Sequence, residues 1–133
     1  PDIDVTLILE DRELDLAMRE ADVAIRMHPS KHPDLIQKPI AHFTNAIYAS
    51  NDYLHEFGTP QTVEALAEHR IIAYPGHMPP PFPHVNWLFE LPEVKKLKLE
   101  PYLKMNSMNA IRRAVKVGMG IATLPDYIMH RSR

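Results

Sequence analysis

The amino-terminal third of the chain changes its spacing of apolar side chains twice. Residues 3–9 alternate apolar with polar or small side chains, which is the two-residue period of a strand. Residues 10–20 place apolar side chains one helical turn apart, so we expect a helix there. The run ADVAIRM at 21–27 fits a strand that is buried on both faces, as strands of a parallel sheet are. These three elements predict one βαβ unit.

Two helices are predicted in the middle of the chain, each with a side chain that can cap it. Asn51 can cap a helix over 52–57, and Gly58 would end that helix because glycine adopts the backbone conformation beyond a helix at little cost. Thr62 can cap a second helix over 63–69. Short strands are predicted around these helices, at 35–40, 46–49 and 71–74.

A proline-rich loop follows the strand that ends at residue 74. Residues 75–84 contain five prolines, which donate no backbone hydrogen bond and hold φ nearly fixed. We therefore expect a rigid, extended loop that is exposed or lines a groove. Beyond it, 85–91 and 97–105 are predicted strands on either side of a short turn, although Pro101 interrupts the alternation in the second.

The last thirty residues predict a helix, a strand and the start of another helix. Asn106 or Ser107 can cap a helix that begins at residue 109, and Gly118 with Gly120 would end it. The apolar run 121–125 then predicts a strand, and 126–133 a helix start. Strands and helices thus alternate along the chain, an order that favours a layered α/β fold.

Composition narrows the classes of protein that these elements could form. The apolar and charged fractions, 45% and 24%, are those of a folded globular protein, and a net charge of −2 gives no overall basic field for nucleic acid. The absence of cysteine excludes disulfides and cysteine zinc sites. No apolar run is long enough to span a bilayer, so we expect no membrane contact and a cytoplasmic location.

The chain shows no convincing set of catalytic or metal-binding residues. None of its four serines lies in a G-x-S-x-G turn. Its eight histidines form no H-E-x-x-H motif, and Pro29 prevents His28 and His32 from facing together on a helix. The glycines at 118 and 120 follow a helix and do not open one, which argues against a phosphate-binding loop. We therefore predict no enzyme, no catalytic residues, no metal and no cofactor.

Five motifs, in this order along the chain, resemble the effector-binding domain of LysR-type transcriptional regulators. They are D-L-x(4)-A-D-V-A-I-R at 15–26, Y-A-S-x-x-Y-L at 48–54 with G-x-P after it, E-x-L-x-x-H at 64–69, W-x-F at 87–89, and A-V-x-x-G-x-G-I-A-x-L-P at 114–125. The resemblance extends over essentially the whole chain.

The resemblance implies an α/β fold of the type 2 periplasmic-binding-protein-like kind, with two Rossmann-like lobes joined by crossover strands. The first lobe would comprise 1–43 plus 126–133, and the second lobe 44–125. In such regulators a winged helix-turn-helix, a linker helix, a strand and a helix come before this region, and a strand and a helix follow it. We therefore expect the first lobe to be incomplete and the chain to be a fragment of a longer protein.

Candidate effector-binding residues follow from the rule that ligands lie outside the carboxyl ends of parallel strands, where loops and helix starts converge. In the first lobe the resemblance indicates positions after the first strand and after the 21–27 strand. In the second lobe it indicates the loop after 71–74, and the start of the helix near 109 presents backbone N–H groups. The eight candidates are Asp11, Arg26, His28, Tyr74, Pro75, Gly76, Asn106 and Ser107. Helix capping for Asp11, Asn106 and Ser107, and a plain surface position for Arg26, are the alternatives.

The expected function is to sense a small organic metabolite in the cleft and to pass the change to an attached DNA-binding domain. We expect the metabolite to be anionic, because Arg26 and helix N-termini would neutralise a carboxylate. The resemblance also implies a homodimer or tetramer, paired through the strand 3–9 and the helix 109–117, with DNA contacted only through the winged helix-turn-helix. The alternative is an extracytoplasmic solute-binding protein that feeds a transporter. An enzyme of a related two-lobed fold, such as a prephenate dehydratase or porphobilinogen deaminase, is less favoured.

Overall fold

A four-stranded mixed sheet lies at the centre of the fold in the computed structural model of the chain, which describes residues 4–6 and 22–129. The order of the strands is β1-β4-β2-β3. Strand β2 runs parallel to both of its neighbours, whereas β1 runs antiparallel to β4. The strands are β1 (Asn45–Tyr48), β2 (Ile71–Ala73), β3 (Leu103–Lys104) and β4 (Ile121–Pro125). The predicted strands at 46–49, 71–74 and 121–125 are thereby confirmed.

Helical segments cover both faces of this sheet. They are α1 (Asn51–Phe57), a 3-10 helix (Glu64–Glu68), α2 (Trp87–Glu90), α3 (Pro92–Leu97), α4 (Met108–Lys116) and α5 (Asp126–Met129). Successive side chains of a strand point to opposite faces, so Ile71 and Ile72 enter two different clusters. We call the cluster on the side of α1 the α1 face; its buried residues are Tyr53, Leu66, Ile71, Leu88, Val94 and Ile121. We call the cluster on the side of α4 the α4 face; its buried residues are Ile72, Tyr74, Phe82, Val85, Ile111, Ala114, Val115, Ala122 and Leu124.

Of the predicted helix caps, Ser107 of α4 is confirmed, whereas the N-cap positions of α1 and of the 3-10 helix are Ser50 and Val63. Asn51 is already helical, and Ser50 is the capping residue: its extended backbone leaves its Oγ 3.2 Å from the Tyr53 N–H that it accepts. Gly58 ends α1 at a φ of 82°, a conformation that favours glycine. The segment after Thr62 is a 3-10 helix, and the Thr62 hydroxyl accepts the Ala65 N–H at 3.3 Å.

Helix α4 and the turn after it follow the sequence pattern closely. Ser107 caps the helix, and Ile111 and Val115 are buried on its inner face. A Cβ added at Gly120 would lie 2.3 Å from the Arg70 carbonyl oxygen, which accepts the N–H of Ile121 at 2.8 Å. Only glycine therefore lets β4 approach the start of β2 this closely.

Of the two strands predicted after the proline-rich loop, 85–91 is wrong and 97–105 is confirmed only at β3. Residues 87–90 form α2, and Trp87, Leu88 and Phe89 all pack against the α1 face, whereas successive side chains of a strand would point to opposite faces. Pro92 then opens α3, as proline does readily at a first helical position. Lys98 ends α3 in the left-handed conformation at a φ of 50°, so the predicted strand 97–105 shrinks to Leu103–Lys104.

The predicted strands in the first lobe are also not observed where the structure describes them. Residues 4–6, 22–27 and 35–40 adopt no strand, and Val23, Ile25 and Ile36 are each more than 80% exposed. A strand is stable only when a neighbour pairs its backbone groups, and the described residues supply no neighbour for these segments. The predicted helix 10–20 and the rest of the strand 3–9 lie outside the described residues.

Candidate functional site

The carboxyl ends of three strands lie at one edge of the sheet. Because β2 is parallel to both β3 and β4, the chain leaves all three at the same side, after Ala73, Lys104 and Pro125. We call this side the carboxyl edge. The predicted residues Tyr74 and Asn106 therefore lie at the same edge, although they are far apart in sequence.

Tyr74 is a structural residue that holds the proline-rich loop. The Asn86 side chain accepts the Tyr74 N–H at 3.0 Å and donates to the Tyr74 carbonyl at 2.8 Å. The Tyr74 hydroxyl donates to the Pro79 carbonyl at 3.1 Å, while its ring is buried in the α4 face. Tyr74 thus fixes the shape of the loop that any ligand at this edge would meet.

The other two predicted residues of this loop differ in exposure. Pro75 is buried, and its carbonyl accepts the Met78 N–H at 3.2 Å, which closes a turn. Gly76 is exposed, and a Cβ added there would meet no atom within 4 Å. Of the three predicted residues in this loop, Gly76 is the one that presents an open backbone to a ligand.

The end of the proline-rich loop, like its start, is held by a hydrogen bond and by a buried aromatic side chain. The Thr123 hydroxyl of β4 donates to the Val85 carbonyl at 3.0 Å, and Phe82 is buried in the α4 face. His84, at a φ of 57°, places its Nδ1 2.7 Å from a carboxylate oxygen of Glu90 in α2. Both ends of the loop are therefore held by hydrogen bonds and packing, and turns at 76–77 and 83–86 replace the extended course that the prolines predicted.

The start of α4 also lies at the carboxyl edge, because this helix begins shortly after β3 ends. The Ser107 Oγ accepts the Ala110 N–H at 3.5 Å and the Ser107 carbonyl accepts the Ile111 N–H at 3.0 Å, so this serine has the capping role that the sequence allowed. Asn106, one residue before it, is exposed. The positive end of the α4 dipole consequently faces the carboxyl edge.

Two of the first-lobe candidates, Arg26 and His28, flank a methionine that packs against the core. This residue, Met27, is partly buried against the α4 face, the cluster that also contains Tyr74. The His28 Nδ1 lies 3.2 Å from the Pro29 carbonyl oxygen. The eighth candidate, Asp11, lies outside the described residues.

Sequence reasoning missed the residues where the chain enters and leaves the sheet. The Thr44 hydroxyl donates to an Asp126 carboxylate oxygen at 2.9 Å, and the Asp126 N–H donates to the Thr44 carbonyl at 2.9 Å. Beside them, the Phe43 ring packs edge-on against Tyr127 at 5.4 Å and Phe82 at 6.0 Å. No local pattern predicts these contacts, since the partners are 39 to 84 positions apart.

Three further observations limit the chemistry of the described residues. Over 4–6 and 22–129, no three histidine or carboxylate side chains come close enough to hold a metal ion. A shallow hollow of about 390 Å³ lies on α1, lined by Asn51, Leu54, His55 and Thr59, and shares no residue with the carboxyl edge. No helix in this part of the chain has both the length and the apolar character needed to cross a membrane.

Comparison with known proteins places these features in a family. A family model described as the LysR substrate binding domain matches residues 1–133. The chain is 29% identical to an uncharacterised HTH-type transcriptional regulator of Haemophilus influenzae, over 99% of this chain and 45% of that protein. It is 33% identical to the probable HTH-type transcriptional regulator LtrA of Klebsiella pneumoniae, over 94% of this chain and 40% of that protein. The chain thus spans less than half the length of these relatives.

A solved structure supports the same assignment of fold. The chain superposes on the regulatory domain of CrgA, a LysR-type transcriptional regulator from Neisseria meningitidis, with a TM-score of 0.63, covering 84% of this chain and 53% of that one. At 23% identity this likeness concerns the fold, and it confirms the predicted fold class. The named relatives are regulators and not enzymes, which agrees with the prediction of no enzyme and does not favour a transporter protein.

Proposed function

Because this chain belongs to the family of LysR substrate binding domains, the effector-binding domains of LysR-type transcriptional regulators, we propose that it binds a small organic anion at the carboxyl edge. The anion would lie between the rigid proline-rich loop and the start of α4, with Arg26 and His28 approaching from the first-lobe side. Binding would shift the positions of the two lobes, and a DNA-binding segment of the longer protein would respond to that shift.

The observation that carries this proposal is the contact of Met27 with the α4 face. Arg26 precedes Met27 in the chain, so its guanidinium would lie near the cluster that α4 covers, where the positive end of the helix dipole would favour an anion. A carboxylate placed there would gain charge-assisted hydrogen bonds, which are about twice as strong as neutral ones. Exposed Gly76 would add a backbone that a ligand can approach closely.

Calorimetric titration of the purified protein with carboxylates and their matched primary amides tests the preference for an anion. We expect carboxylates to bind more tightly, and Arg26→Gln to weaken them by at least about tenfold, since a hydrogen bond to a charged group contributes roughly 1.5–3 kcal/mol. Arg113→Gln is the matched control, because Arg113 is exposed on α4, beyond its first turn. Equal affinity for acids and amides, with both variants folded, would overturn the proposal.

We assign residues 44–125 to the second lobe and 1–43 plus 126–133 to the first. The reciprocal hydrogen bonds between Thr44 and Asp126 support this division, because they tie together the two points where the chain would cross between lobes. A Thr44→Val, Asp126→Asn double variant should loosen this tie. Proteolysis of the variant would then occur at 40–44 and 126–130; if cleavage instead began inside 45–125, the boundary would be misplaced.

The coding sequence before Pro1 decides between a regulator and a transporter component. A winged helix-turn-helix there supports the regulator, and a secretion signal supports the solute-binding protein.

A homodimer or tetramer, paired through the segment 3–9 and the helix 109–117, completes the proposal. Val117, at the end of α4, is 74% exposed, and such an apolar side chain suits an interface. Light scattering should show a dimer or larger species that Val117→Glu shifts toward monomer. A monomer at high concentration would argue against pairing.

A further inference from the structure

Five of the seven methionines of the chain surround one cluster of the core. Met27, Met78, Met105, Met108 and Met129 are partly buried and pack against the α4 face. The buried members of that cluster are branched aliphatic, alanine or aromatic, and none of them is methionine. These methionines therefore form a rim around the α4 face and do not fill its interior. We call this rim the methionine collar.

The other side of the same sheet shows that this arrangement is not general. Eight partly buried apolar side chains pack against the α1 face, and no methionine is among those that the structure describes. The same strands supply both clusters, so the requirements of sheet packing alone do not explain methionine on one side only.

The collar lies where the proposed effector would bind. Met78 follows β2 in the proline-rich loop, Met105 follows β3 directly, and Met108 is the first residue of α4. The Met105 N–H donates to the Ala73 carbonyl at 3.0 Å, which holds that residue at the carboxyl edge. Met27, between Arg26 and His28, completes the collar from the first-lobe side.

Methionine suits a surface that must adapt to an apolar partner. Its unbranched thioether chain has three rotatable bonds and a polarizable sulfur, so several collar residues could fold around a small hydrocarbon body. A second charged group placed on the collar would lose hydration without a partner there. The collar therefore favours a ligand with one charged end and one apolar end.

We infer that the effector is a monocarboxylate whose apolar body of several carbons packs against the methionine collar. The inference of a carboxylate rests on the proposed function, whereas the inference of an apolar body rests only on the methionine collar. Arg26, next to Met27, would receive the charged end, and the collar would receive the hydrocarbon.

A homologous series of ligands tests this inference on the unmodified protein. Acetate, propionate, butyrate and pentanoate, with the primary amide of each, would be titrated by calorimetry and by the fluorescence of Trp87, the single tryptophan. We expect affinity to rise roughly fourfold for each methylene that the collar buries. Succinate, which places a second charge on the collar, should bind more weakly than butyrate.

Variants of the collar give an independent measurement. Met105→Gln and Met108→Gln should each weaken pentanoate several-fold and leave acetate nearly unchanged, whereas Met119→Gln, a change of an exposed methionine outside the collar, should affect neither. Circular dichroism would check that each variant is folded.

The outcomes separate the two proposals. Acids that bind with no dependence on chain length would overturn the collar and leave the anion site standing. Amides that bind as well as acids, with affinity rising along the series, would support the collar and overturn the anion site. Failure of both series to bind would overturn both.

Discussion

The same strands contribute to both faces of the sheet, but the side chains that surround the two buried clusters differ. On the α1 face, helical segments close over the cluster, and the rim consists of alanine, branched aliphatic and aromatic side chains. On the α4 face, one long helix and a proline-rich loop cover the cluster, and methionine dominates the rim. Rigid side chains specify a unique packing and flexible ones tolerate change, so we assign stability mainly to the first face and ligand binding to the second.

Polar contacts reinforce this division. Tyr53, 1% exposed on the α1 face, accepts the Arg70 N–H at 2.9 Å and lies 3.1 Å from Nδ1 of His69 through the same hydroxyl. Its ring stacks on Phe57 at 4.7 Å, and the Arg70 guanidinium lies over Phe57 and Tyr102. Side-chain and backbone hydrogen bonds thus form an interlock at the start of β2, which is the end of that strand opposite the carboxyl edge.

Truncation of the core should show the largest difference between the faces. Leu88→Ala would leave a cavity in the α1 face, where Leu88 is 3% exposed, and we expect a loss of about 3 kcal/mol in the free energy of unfolding. Met105→Ala removes a partly exposed rim side chain and should cost about 1 kcal/mol. Urea denaturation measures both. Equal losses in the free energy of unfolding would mean that Met105 stabilises the fold as much as a fully buried core residue does.

Removal of one hydroxyl should have the next largest effect. Tyr53→Phe removes the acceptor of the Arg70 N–H from a part-buried hydrogen bond and should cost about 1.5 kcal/mol, the upper end of the net contribution of one hydrogen bond. Tyr102→Phe is the control, since Tyr102 is 60% exposed and should change stability little. If the two variants were equally stable, the interlock on the α1 face would not contribute to folding.

Two serine caps allow a matched comparison across the sheet. Ser50→Ala at α1 and Ser107→Ala at α4 should each cost about 1 kcal/mol. Only Ser107→Ala should also weaken a bound carboxylate, because α4 begins at the carboxyl edge. Calorimetry of the same ligand against both variants provides the test; identical affinities would leave Ser107 a cap and nothing more.

The smallest expected effect concerns pH and the 3-10 helix of the α1 face. The backbone N–H of Glu64, and then the Thr62 hydroxyl, lower the pKa of the Glu64 carboxyl from its ordinary 4.5. Its stabilising contribution should therefore be present above pH 4.5 and disappear as the pH falls through the lowered value. Urea midpoints of the chain and of Glu64→Gln should differ at neutral pH and converge in acid. A difference that grew in acid would reverse the sign.

Local signals in the sequence predicted the α1-to-β2 region and the α4-to-β4 region well. The apolar runs at 71–74 and 121–125, the Ser107 cap, and Gly58 and Gly118 act over a few neighbouring residues, so the chain itself contains the necessary information. The wrong strands lie where a local pattern is ambiguous. The apolar side chains of 85–91 suit a strand or a helix equally, and residues 87–90 form a helix that packs Trp87, Leu88 and Phe89 against the α1 face.

For the candidate site, the sequence named residues without distinguishing ligand contacts from structural supports. It placed Tyr74 at the site, yet contacts with Asn86 and Pro79 make this residue a support of the loop. It treated the methionines mainly as packing, because a spacing pattern does not distinguish the interior of a core from its rim.

The sequence by itself determined the family, the α/β class, the Ser107 cap and the glycine that ends α1, since motifs, capping residues and short-range periodicity involve only neighbouring positions. Only the tertiary structure decided which residues share the carboxyl edge, that Thr44 meets Asp126, and that methionines among the described residues pack around the α4 face and not the α1 face. These relations depend on the direction and order of strands far apart in the chain, and such long-range pairing is fixed only when the sheet closes.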